Sequence, residues 1–433
     1  MAAKNLTTDQ SALLQFKAHI TSDPSRVLAY NWSISKPVCR WVGISCDARH
    51  GRVTTLNLSS MDLGGTIPPH LGHILQTVGN LSELILLYLN DNNLAGEIPQ
   101  EIYNLQGLQS LALGSNSLTA GLLPSSIFNI SSLELINLGN SGLFGSLPTD
   151  ICNHLPALRH LRLSRNMISG TIPKNINNCT SLEFLYLNEN RLTGEIPDEI
   201  ANLQSLRDLA LGSNGLTGHI PQTVGNLSKL IGLLLNHNIL AGEIPDEIGN
   251  LQSLQHLALG SNGLTGIIPA SIFNFSTMEQ NDLSLNNLSG CLPSSFGQRL
   301  LNLVRLTIGL NKLTGTIPNS ISNASKLTFL DLTGNSLSGL FPNTFGNLRL
   351  LKYLGLAGNN LTTESPTTEW SFLPSLTNCR ELKVLYLDYN PLYGVLPLSI
   401  GNLSSSLQIF RASNCKIKGS IPIEIGNLHS LFV

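Results

Sequence analysis

Charged and aromatic residues are scarce in this chain. Of its 433 residues only 12% are charged and 6% are aromatic, whereas 42% are hydrophobic. The formal net charge is −2 and the isoelectric point is near 6.5, so there is no basic excess to meet a phosphate backbone. We therefore exclude nucleic acid as a partner. A core of this composition has to be built from aliphatic side chains.

Long apolar runs are also missing. Asn, Gly or Pro interrupts every leucine cluster within about ten positions, whereas a membrane-spanning helix needs about 18 to 20 apolar residues. The sequence therefore predicts no membrane span within these residues. The first five residues lack the apolar stretch of a secretory signal, so we expect that a signal has been removed or lies upstream.

Catalytic motifs are absent too. The sequence contains no H-E-x-x-H, G-x-S-x-G, Walker or dinucleotide-binding fingerprint, and its ten histidines are scattered. We predict no catalysis, no cofactor and no metal. His70 and His73 come nearest to a metal-binding pair, and we interpret them as residues of an exposed loop.

A repeated phrase is what the chain has in abundance. The pattern L-x-x-L-x-L-x-x-N-x-L-x-G-x-I-P returns mostly every 24 or 25 residues, in fifteen full copies and a sixteenth that is cut off after Leu431. A period of this length overrides the domain count that chain length alone would suggest. We number the repeats by their opening residues, which are Val53, Leu84, Leu108, Leu133, Leu158, Leu182, Leu206, Leu230, Leu254, Met278, Leu303, Leu327, Leu351, Leu382 and Leu407.

Each repeat predicts one short strand. The L-x-L step alternates sides, so both leucines point inward and the x residues point outward. Stacked repeats merge their leucines into one core, each contributing about 1.5 to 3 kcal/mol before entropy. The ninth position, usually Asn, is expected to turn inward and bond turn backbone groups that lack partners. Ser141 and Cys415 interrupt this series.

The G-x-I-P phrase, as in residues 194–197, resembles the plant-specific class of leucine-rich repeats. The resemblance implies an α/β repeat solenoid, namely a plant-type leucine-rich-repeat superhelix with a parallel β-sheet on its concave face. It also implies an N-terminal helical cap. We place this cap at residues 1–52 and the repeat array at residues 53–433.

The N-terminal segment resembles the cap of that class. Residues 7–10 fit a helix N-terminus with Thr7 as the N-cap. Three apolar residues recur on one face of this helix: Leu13, Phe16 and Ile20. Residues 39–46 resemble the paired-cysteine motif of such caps, so we predict a disulfide between Cys39 and Cys46. The cap would cover leucines that the first repeat leaves exposed.

Sequons and cysteines favour the secretory route. Cys152 and Cys179 come from adjacent repeats, where a bridge and a buried thiol at Cys179 are both open; Cys379 is interpreted as a buried thiol. Cys291 and Cys415 are unassigned. Twelve N-x-S/T sequons predict glycosylation, at Asn5, Asn31, Asn57, Asn80, Asn129, Asn178, Asn226, Asn274, Asn287, Asn323, Asn360 and Asn402.

The period breaks twice. Before repeat two, residues 76–82 duplicate residues 222–228, which we interpret as two partial repeats that were joined. Within residues 359–382 a longer segment containing Trp370 and Phe372 replaces G-x-I-P. This order resembles the pathogen-sensing subfamily of plant leucine-rich-repeat receptor kinases, which includes the flagellin-sensing and elongation-factor-Tu receptors. The alternative for the two rings is that they fill a gap in the core.

Two pairs of repeats are near-copies and allow an internal comparison. Residues 183–221 and 231–269 differ at ten of 39 positions, and four of the ten are among the eight outward strand positions. Those four differences are Phe184/Gly232, Tyr186/Leu234, Glu189/His237 and Asp208/His256. A retained scaffold with a divergent outward face is what a recognition surface would show.

Outward residues predict two ligand-binding patches, because neighbouring strands lie only about 4.8 Å apart. The first patch consists of His160, Arg162, Arg165, Phe184, Tyr186, Glu189 and Asp208. The second patch consists of Phe329, Asp331, Tyr353, Tyr386, Asp388, Tyr389 and Arg411. We favour the first patch because it combines charge with aromatic area on adjacent strands. The alternative is that such aromatics only stabilise cross-strand packing.

The resemblance implies the ligand-binding ectodomain of a plant cell-surface immune receptor serine/threonine kinase. Such a receptor recognises a peptide or protein and signals through a leucine-rich-repeat co-receptor kinase and its own kinase domain. We expect it at the extracellular face of the plasma membrane, attached by a segment beyond Val433, with an exposed core edge at the last repeat. The alternative is a secreted inhibitor similar to polygalacturonase-inhibiting proteins, which are shorter and closed by a cysteine cap.

Overall fold

The computed structural model describes residues 6–68, 81–118, 121–365 and 368–432. It contains two compact units, Met1–Thr217 and Gly218–Val433. Several sequence predictions lie outside the described residues, namely the duplicated segment up to residue 80, the histidines His70 and His73, and the sequons Asn5 and Asn80.

In the first unit, repeats one to seven each place one strand in a parallel sheet, next to an antiparallel strand of the cap. Equivalent positions of neighbouring repeats pair with each other across the sheet, as His160 does with Phe184 and Arg162 with Tyr186. We call the outward side of such strands the concave face. The cap strand is Ile44–Cys46, and the repeat strands are Val53–Asn57, Leu86–Tyr88, Ser110–Ala112, Leu135–Asn137, His160–Arg162, Phe184–Tyr186 and Asp208–Ala210.

Short outer elements complete each repeat of the first unit. The proline of G-x-I-P directly precedes a 3₁₀ helix, as Pro197 does with φ −68° before Asp198–Asn202, because its ring fixes a φ that suits the first turn. The outer strands are Ile20–Ser22, Gly64–Thr66, Asn93–Ala95, Phe144–Ser146, Met167–Gly170, Arg191–Glu195 and Gly215–Thr217. The α-helices are Leu6–Ala18 and Val27–Asn31, and the 3₁₀ helices are Val38–Arg40, Gln100–Asn104, Ser125–Asn129, Lys174–Asn178 and Asp198–Asn202.

The second unit repeats this organisation for repeats eight to fifteen. Its repeat strands are Gly232–Leu234, His256–Ala258, Gln280–Asp282, Arg305–Thr307, Phe329–Asp331, Tyr353–Gly355, Val384–Tyr386 and Ile409–Arg411. Its outer strands are Ala241–Glu243, Gly263–Thr265, Thr314–Thr316, Ser336–Leu340 and Asn360–Thr362. Its helices are the α-helix Leu373–Leu376 and the 3₁₀ helices Gln222–Asn226, Asp246–Asn250, Ala270–Asn274, Asn319–Asn323, Asn343–Asn347, Leu398–Asn402 and Ile423–Asn427.

Together the described parts of the two units hold one such strand for each of the fifteen predicted repeats. The leucine-rich-repeat solenoid that the resemblance implies is therefore confirmed. Within the described ranges, no helix combines the length and the apolar character needed to cross a membrane.

The cap helix is fastened to repeat one by a buried ion pair. The described helix begins at Leu6, so Thr7 lies inside it and the predicted N-cap is wrong. The carboxylate of Asp9, which is fully buried, accepts hydrogen bonds from Arg52 Nε at 2.9 Å and Nη2 at 2.7 Å, and from Val53 N–H at 2.9 Å. Each buried charge needs the other, because an unpaired charge is costly in an apolar interior.

The apolar face of this helix is only partly as predicted. Leu13 and Phe16 are fully buried. Ile20 lies beyond the helix in the strand Ile20–Ser22, so its place on the helix face is wrong. In the same cap, Cys39 and Cys46 form a disulfide with their Cα atoms 5.6 Å apart.

The remaining cysteines divide into a bridge and free thiols. Cys152 and Cys179 form a disulfide across adjacent repeats, with Cα atoms 5.1 Å apart; a free thiol at Cys179 is therefore wrong, because stacking brings the two residues within bonding reach. Cys379 and Cys415 are buried free thiols, and burial raises the pKa of each to about 11. Cys291 is free and exposed.

The inward asparagines form a ladder between repeats. Asn190 Nδ2 donates to the carbonyls of Leu163 and Leu187, both at 3.0 Å, and its Oδ1 accepts from Ile168 N–H at 3.0 Å. The inward turn predicted from the sequence is confirmed. The same three bonds recur at Asn92, Asn116, Asn166 and Asn214 in the first unit and at Asn262, Asn286, Asn311, Asn335, Asn359 and Asn390 in the second.

Two of the residues that replace asparagine in this ladder, Ser141 and Cys415, keep part of its bonding. The hydroxyl of Ser141 donates to the carbonyls of Leu113 at 3.3 Å and Gly139 at 3.2 Å. The thiol of Cys415 donates to the carbonyl of Leu387 at 3.1 Å. At these two positions a hydroxyl or a thiol therefore donates the hydrogen bond that the asparagine amide donates in other repeats.

The segment that replaces G-x-I-P in repeat thirteen packs into the core. Trp370 and Phe372 are 0% and 1% exposed. The Phe372 ring lies 3.7 Å from the Phe341 ring and 5.2 Å from the Trp370 ring, measured between centroids. The structure thus supports core filling for these two rings.

Repeat ten carries a polar residue at an inward leucine position. Asn281 is 1% exposed and lies in register with Leu257 and Leu306 of the neighbouring strands. Neither its Oδ1 nor its Nδ2 has a hydrogen-bond partner among the described residues. An unpaired amide in an apolar core costs about 1 to 3 kcal/mol, so this position weakens the second unit.

We predict that Asn281→Leu stabilises the second unit by about 1 to 3 kcal/mol, because it removes the unpaired amide and restores the leucine column. The measurement is the midpoint of urea unfolding, which should rise. The matched control, Leu257→Asn, places the same polar group one repeat earlier and should lower the midpoint. A midpoint that stays the same or falls in Asn281→Leu would show that the amide is not a defect.

Candidate functional site

The first patch lies on three adjacent strands of the first unit. His160 and Arg162 belong to the strand of repeat five, Phe184 and Tyr186 to that of repeat six, and Asp208 to that of repeat seven. Arg165 and Glu189 follow their strands in left-handed backbone conformation, with φ of 58° and 57°. The structure thus brings all seven predicted residues together on the concave face.

Ring contacts join these strands. The rings of His160 and Phe184 are stacked with centroids 4.7 Å apart, and the Phe184 and Tyr186 rings meet edge to face at 6.1 Å. The guanidinium carbon of Arg162 lies 5.5 Å from the centre of the Tyr186 ring. Such contacts stabilise cross-strand packing and also present a rigid surface to a ligand.

The surroundings shift the pKa values of two side chains in the patch, Tyr186 and His160. The Tyr186 hydroxyl donates to Asp208 Oδ2 at 3.0 Å, and burial followed by this hydrogen bond raises the pKa of Tyr186 to about 12. Burial, and next the charge of Arg162, lower the pKa of His160 below its usual 6.5. Tyr186 therefore stays protonated and His160 neutral at pH 7.

The two arginines of the patch differ in their ion pairing. Arg165 Nε lies 3.1 Å from Glu189 Oε1 in an exposed ion pair, which is worth at most about 1 kcal/mol. Arg162 forms no ion pair among the described residues, and its Nε is buried without a hydrogen-bond partner there. Because guanidinium carries only donors, Arg162 is the cation of this patch that still lacks an acceptor.

A depression of about 350 Å³ adjoins Arg162 on the concave face of repeats two to six. Its floor includes Gly114 and Gly139, and its lining includes the side-chain amides of Asn137 and Asn140. A Cβ atom at Gly114 would come within 2.9 Å of Asn137 Oδ1 and of the Gly139 carbonyl oxygen. The depression therefore depends on the missing side chains of two successive repeats.

The sequence prediction missed the repeat two to four side of this depression. Asn90, Asp91 and Ser115 line it together with the two asparagines of repeat four. The available signal was glycine at the seventh position of two successive repeats, Gly114 and Gly139. A search for aromatic and charged side chains could not find it, because the depression arises where side chains are absent.

The second patch forms a chain of rings and cations in the second unit. The guanidinium carbon of Arg305 lies 3.6 Å from the centre of the Phe329 ring, which stacks on Tyr353 at 4.1 Å. Tyr353 meets Tyr386 edge to face at 5.6 Å, and Arg411 lies 5.1 Å from the Tyr386 ring centre. The sequence prediction missed Arg305, although the register of the repeats places it beside Phe329.

The acidic members of the second patch lie beside these rings. Asp331 Oδ1 accepts from Thr333 N–H at 2.9 Å, and Asp388 Oδ1 accepts from Ser413 N–H at 2.8 Å. Burial, and next the charge of Asp331, raise the pKa of Tyr353 to about 12. Tyr389 is 65% exposed. The structure therefore brings this patch together as well.

Most sequons within the described residues are exposed. Nine of these ten asparagines are exposed, and Asn31 is half-buried. Six occupy the last position of a 3₁₀ helix, namely Asn129, Asn178, Asn226, Asn274, Asn323 and Asn402. No residue of the first patch is a sequon asparagine, so glycosylation would modify none of its side chains directly.

Family models match most of the chain. A leucine rich repeat N-terminal domain model matches residues 6–47. Leucine-rich-repeat models match residues 83–105, 151–267, 302–361, 326–392 and 406–428. The chain belongs to the leucine-rich-repeat proteins and begins its array with their N-terminal cap.

Its relatives are plant receptor kinases. The LRR receptor-like serine/threonine-protein kinase EFR of Arabidopsis thaliana is 40% identical over 102 residues, which is 24% of this chain and 9% of that protein. The match therefore spans less than a tenth of the relative.

Solved ectodomains of plant receptor kinases share the fold over nearly the whole chain. The Arabidopsis HAESA ectodomain in complex with an IDA peptide hormone ligand has a TM-score of 0.76 and 27% identity, covering 99% of this chain and 80% of that chain. The GASSHO1/SCHENGEN3 ectodomain in complex with CASPARIAN STRIP INTEGRITY FACTOR 2 has a TM-score of 0.73 and 30% identity, covering 97% and 57%. HAESA with IDA and the co-receptor SERK1 has a TM-score of 0.57 and 26% identity, covering 98% and 89%.

We predict that His160 titrates below pH 6.5 in the folded protein, because burial and Arg162 disfavour its charged form. Since the unfolded chain then binds more protons, this residue lowers folding stability as the pH falls below 6.5. The measurement is the NMR titration of the His160 ring, assigned by comparison with His160→Gln. Arg162→Gln should move the midpoint up toward 6.5. A wild-type midpoint at or above 6.5 would contradict the burial seen here.

Proposed function

We propose that this chain is the ligand-binding ectodomain of a plant cell-surface receptor kinase and that its ligand is a peptide or protein. The fold shared with HAESA and GASSHO1, both solved with bound ligands, supports this function. The chain itself performs no catalytic step in this role. The signal passes to a kinase domain elsewhere in the same receptor.

The observation that carries the proposal is Arg162 beside the depression of repeats two to six. It takes part in no ion pair within the described residues, it lies against the Tyr186 ring, and its terminal nitrogens can form a fork of hydrogen bonds to a carboxylate. Arginine beside aromatic area is typical of interface hot spots, where a truncation costs about 1 to 4 kcal/mol of binding. The first patch is therefore our principal ligand-binding surface.

The finer role that we propose is immune sensing with a co-receptor. It is supported by the match to EFR, by the order of the segment replacing G-x-I-P in repeat thirteen, and by the HAESA complex that includes the co-receptor SERK1. The proposed location is the extracellular face of the plasma membrane. The disulfides Cys39–Cys46 and Cys152–Cys179 support an oxidising compartment.

The test is a chimera that joins this chain to the transmembrane and kinase segments of EFR in plant cells, challenged with fractionated microbial extracts. We predict a kinase-dependent response that Arg162→Ala combined with Arg165→Ala abolishes, because the cationic contacts to the ligand are lost. The melting temperature and surface abundance of this variant should stay unchanged, since both arginines lie outside the core.

A matched control replaces two exposed arginines of the second unit, Arg299 and Arg349, by alanine and should leave the response intact. A full response from the Arg162 and Arg165 double variant would exclude the first patch and make the surface of Tyr353, Tyr386 and Tyr389 the leading candidate. A response to plant peptides alone would contradict the immune role and retain the receptor. A chimera silent toward both sources would contradict the receptor proposal.

A further inference from the structure

We infer that the depression of repeats two to six binds a peptide segment that carries a carboxylate and a basic group roughly four residues apart. The inference rests on the proposed function, because it names the chemistry of the ligand that such a receptor would take. It is carried by opposite charges at the two sides of the depression and by the amide-lined floor between them.

The two sides of the depression differ in charge. On repeat two, the exposed Asp91 accepts a hydrogen bond from Asn90 Nδ2 at 2.6 Å. It forms no ion pair with any residue in the described part of the chain. On repeat five, Arg162 likewise takes part in no ion pair among the described residues. A carboxylate at one side and a guanidinium at the other favour a ligand that carries both signs.

Arg165 does not supply the same free positive charge, because Glu189 already pairs with it at 3.1 Å. A purely acidic ligand would meet Asp91, and a purely basic ligand would meet Arg162. Like charges brought together at an interface oppose binding. The arrangement therefore discriminates against ligands of one sign.

The spacing of the repeats sets the separation of the two ligand groups. Across the sheet, repeats two and five are three strand spacings apart, which is about 14 Å at about 4.8 Å per spacing. Asp91 also lies three positions later in its repeat than Arg162 does, so the line between them runs obliquely to the strands. An extended peptide advances by about 3.3 to 3.4 Å per residue, so residues i and i+4 are separated by about 13 Å. A peptide that crosses the strands would therefore span the lateral distance with four residue steps, and the long side chains of Arg162 and of a basic ligand residue can cover the offset along the strands.

The floor between the two sides suits a peptide backbone. Gly114 and Gly139 leave room for the chain, and the side chain of Asn140 is exposed beside them. The amides of Asn137 and Asn140 can each donate and accept, as the N–H and C=O groups of an extended peptide require. The two sides of the depression would thus select the charged groups of the ligand, and the floor would bind the peptide backbone whatever its other side chains are.

The test uses three capped pentapeptides and the secreted protein. The probes are acetyl-Lys-Gly-Ser-Gly-Glu-amide, its reversed order acetyl-Glu-Gly-Ser-Gly-Lys-amide, and the neutral acetyl-Gln-Gly-Ser-Gly-Gln-amide. Ligand-observed saturation-transfer NMR measures the affinity of each. One charged order should bind at least about tenfold more tightly than the neutral peptide, and Asp91→Asn or Arg162→Gln should each reduce this preference.

The decisive variant exchanges the charges, combining Asp91→Lys with Arg162→Glu. The left-handed position of Asp91 holds Arg165 and Glu189 in other repeats, so a lysine is compatible with that backbone. The variant should prefer the opposite order of the two charged peptides. A control that changes Asp246→Asn and Arg299→Gln, two exposed residues of the second unit outside both patches, should leave the original preference intact.

Three results would overturn the inference: equal binding of the neutral and charged peptides, no binding of either charged peptide at millimolar concentration, or an order preference that the charge exchange leaves unchanged. A chimera whose response depends on Arg162 while the pentapeptides show no preference would preserve the proposed function and reject this ligand chemistry.

Discussion

The asparagine ladder is the interaction on which the rest of the structure depends. At the end of each repeat strand the chain turns, and the turn leaves carbonyl and N–H groups without partners in the sheet. One inward amide satisfies carbonyls of its own and the preceding repeat and an N–H of the preceding repeat, as Asn190 does. The ladder therefore holds neighbouring strands at a fixed spacing and register.

This constraint separates the scaffold from the surface. Leucines and asparagines hold the repeats together from the inside, so the outward strand positions contribute little to the core and are free to differ. The near-copies at residues 183–221 and 231–269 illustrate this, because framework residues are kept while Phe184, Tyr186 and Asp208 become Gly232, Leu234 and His256. Recognition can thus change without a change of fold.

Features set by local periodicity could be predicted from the sequence. The repeat number, the outward side of each strand and the composition of both patches follow from a pattern that every repeat shares. Features that depend on one contact distant in sequence could not. From the sequence, Asp9 is interpreted only as part of a helix start, because its ion pair with Arg52 is not apparent there. The depression, likewise, forms only where the glycines of two repeats are stacked.

The remaining differences between prediction and structure have two causes. Cys152 and Cys179 are 27 residues apart, and only the stacking of their repeats decides that they bond. Asn281, whose amide is unpaired, occupies a leucine position in one repeat. A single exception of this kind is easily overlooked in a pattern that the other repeats follow. Arg305 acquires its role from the Phe329 ring of the next repeat. The disulfide thus needs a contact that the period does not supply, whereas Asn281 and Arg305 lie in register with equivalent residues of neighbouring repeats and could have been found from the period.

The most direct test of this account is the free energy of unfolding of Asn190→Ala compared with Asn202→Ala, from equilibrium urea titrations. Both asparagines belong to repeat six, but Asn202 is exposed at the end of a 3₁₀ helix. The account predicts a loss of about 1 to 3 kcal/mol for Asn190→Ala, because it leaves backbone groups unpaired, and no measurable loss for Asn202→Ala. Equal stability of the two variants and the wild type would contradict the role assigned to the ladder.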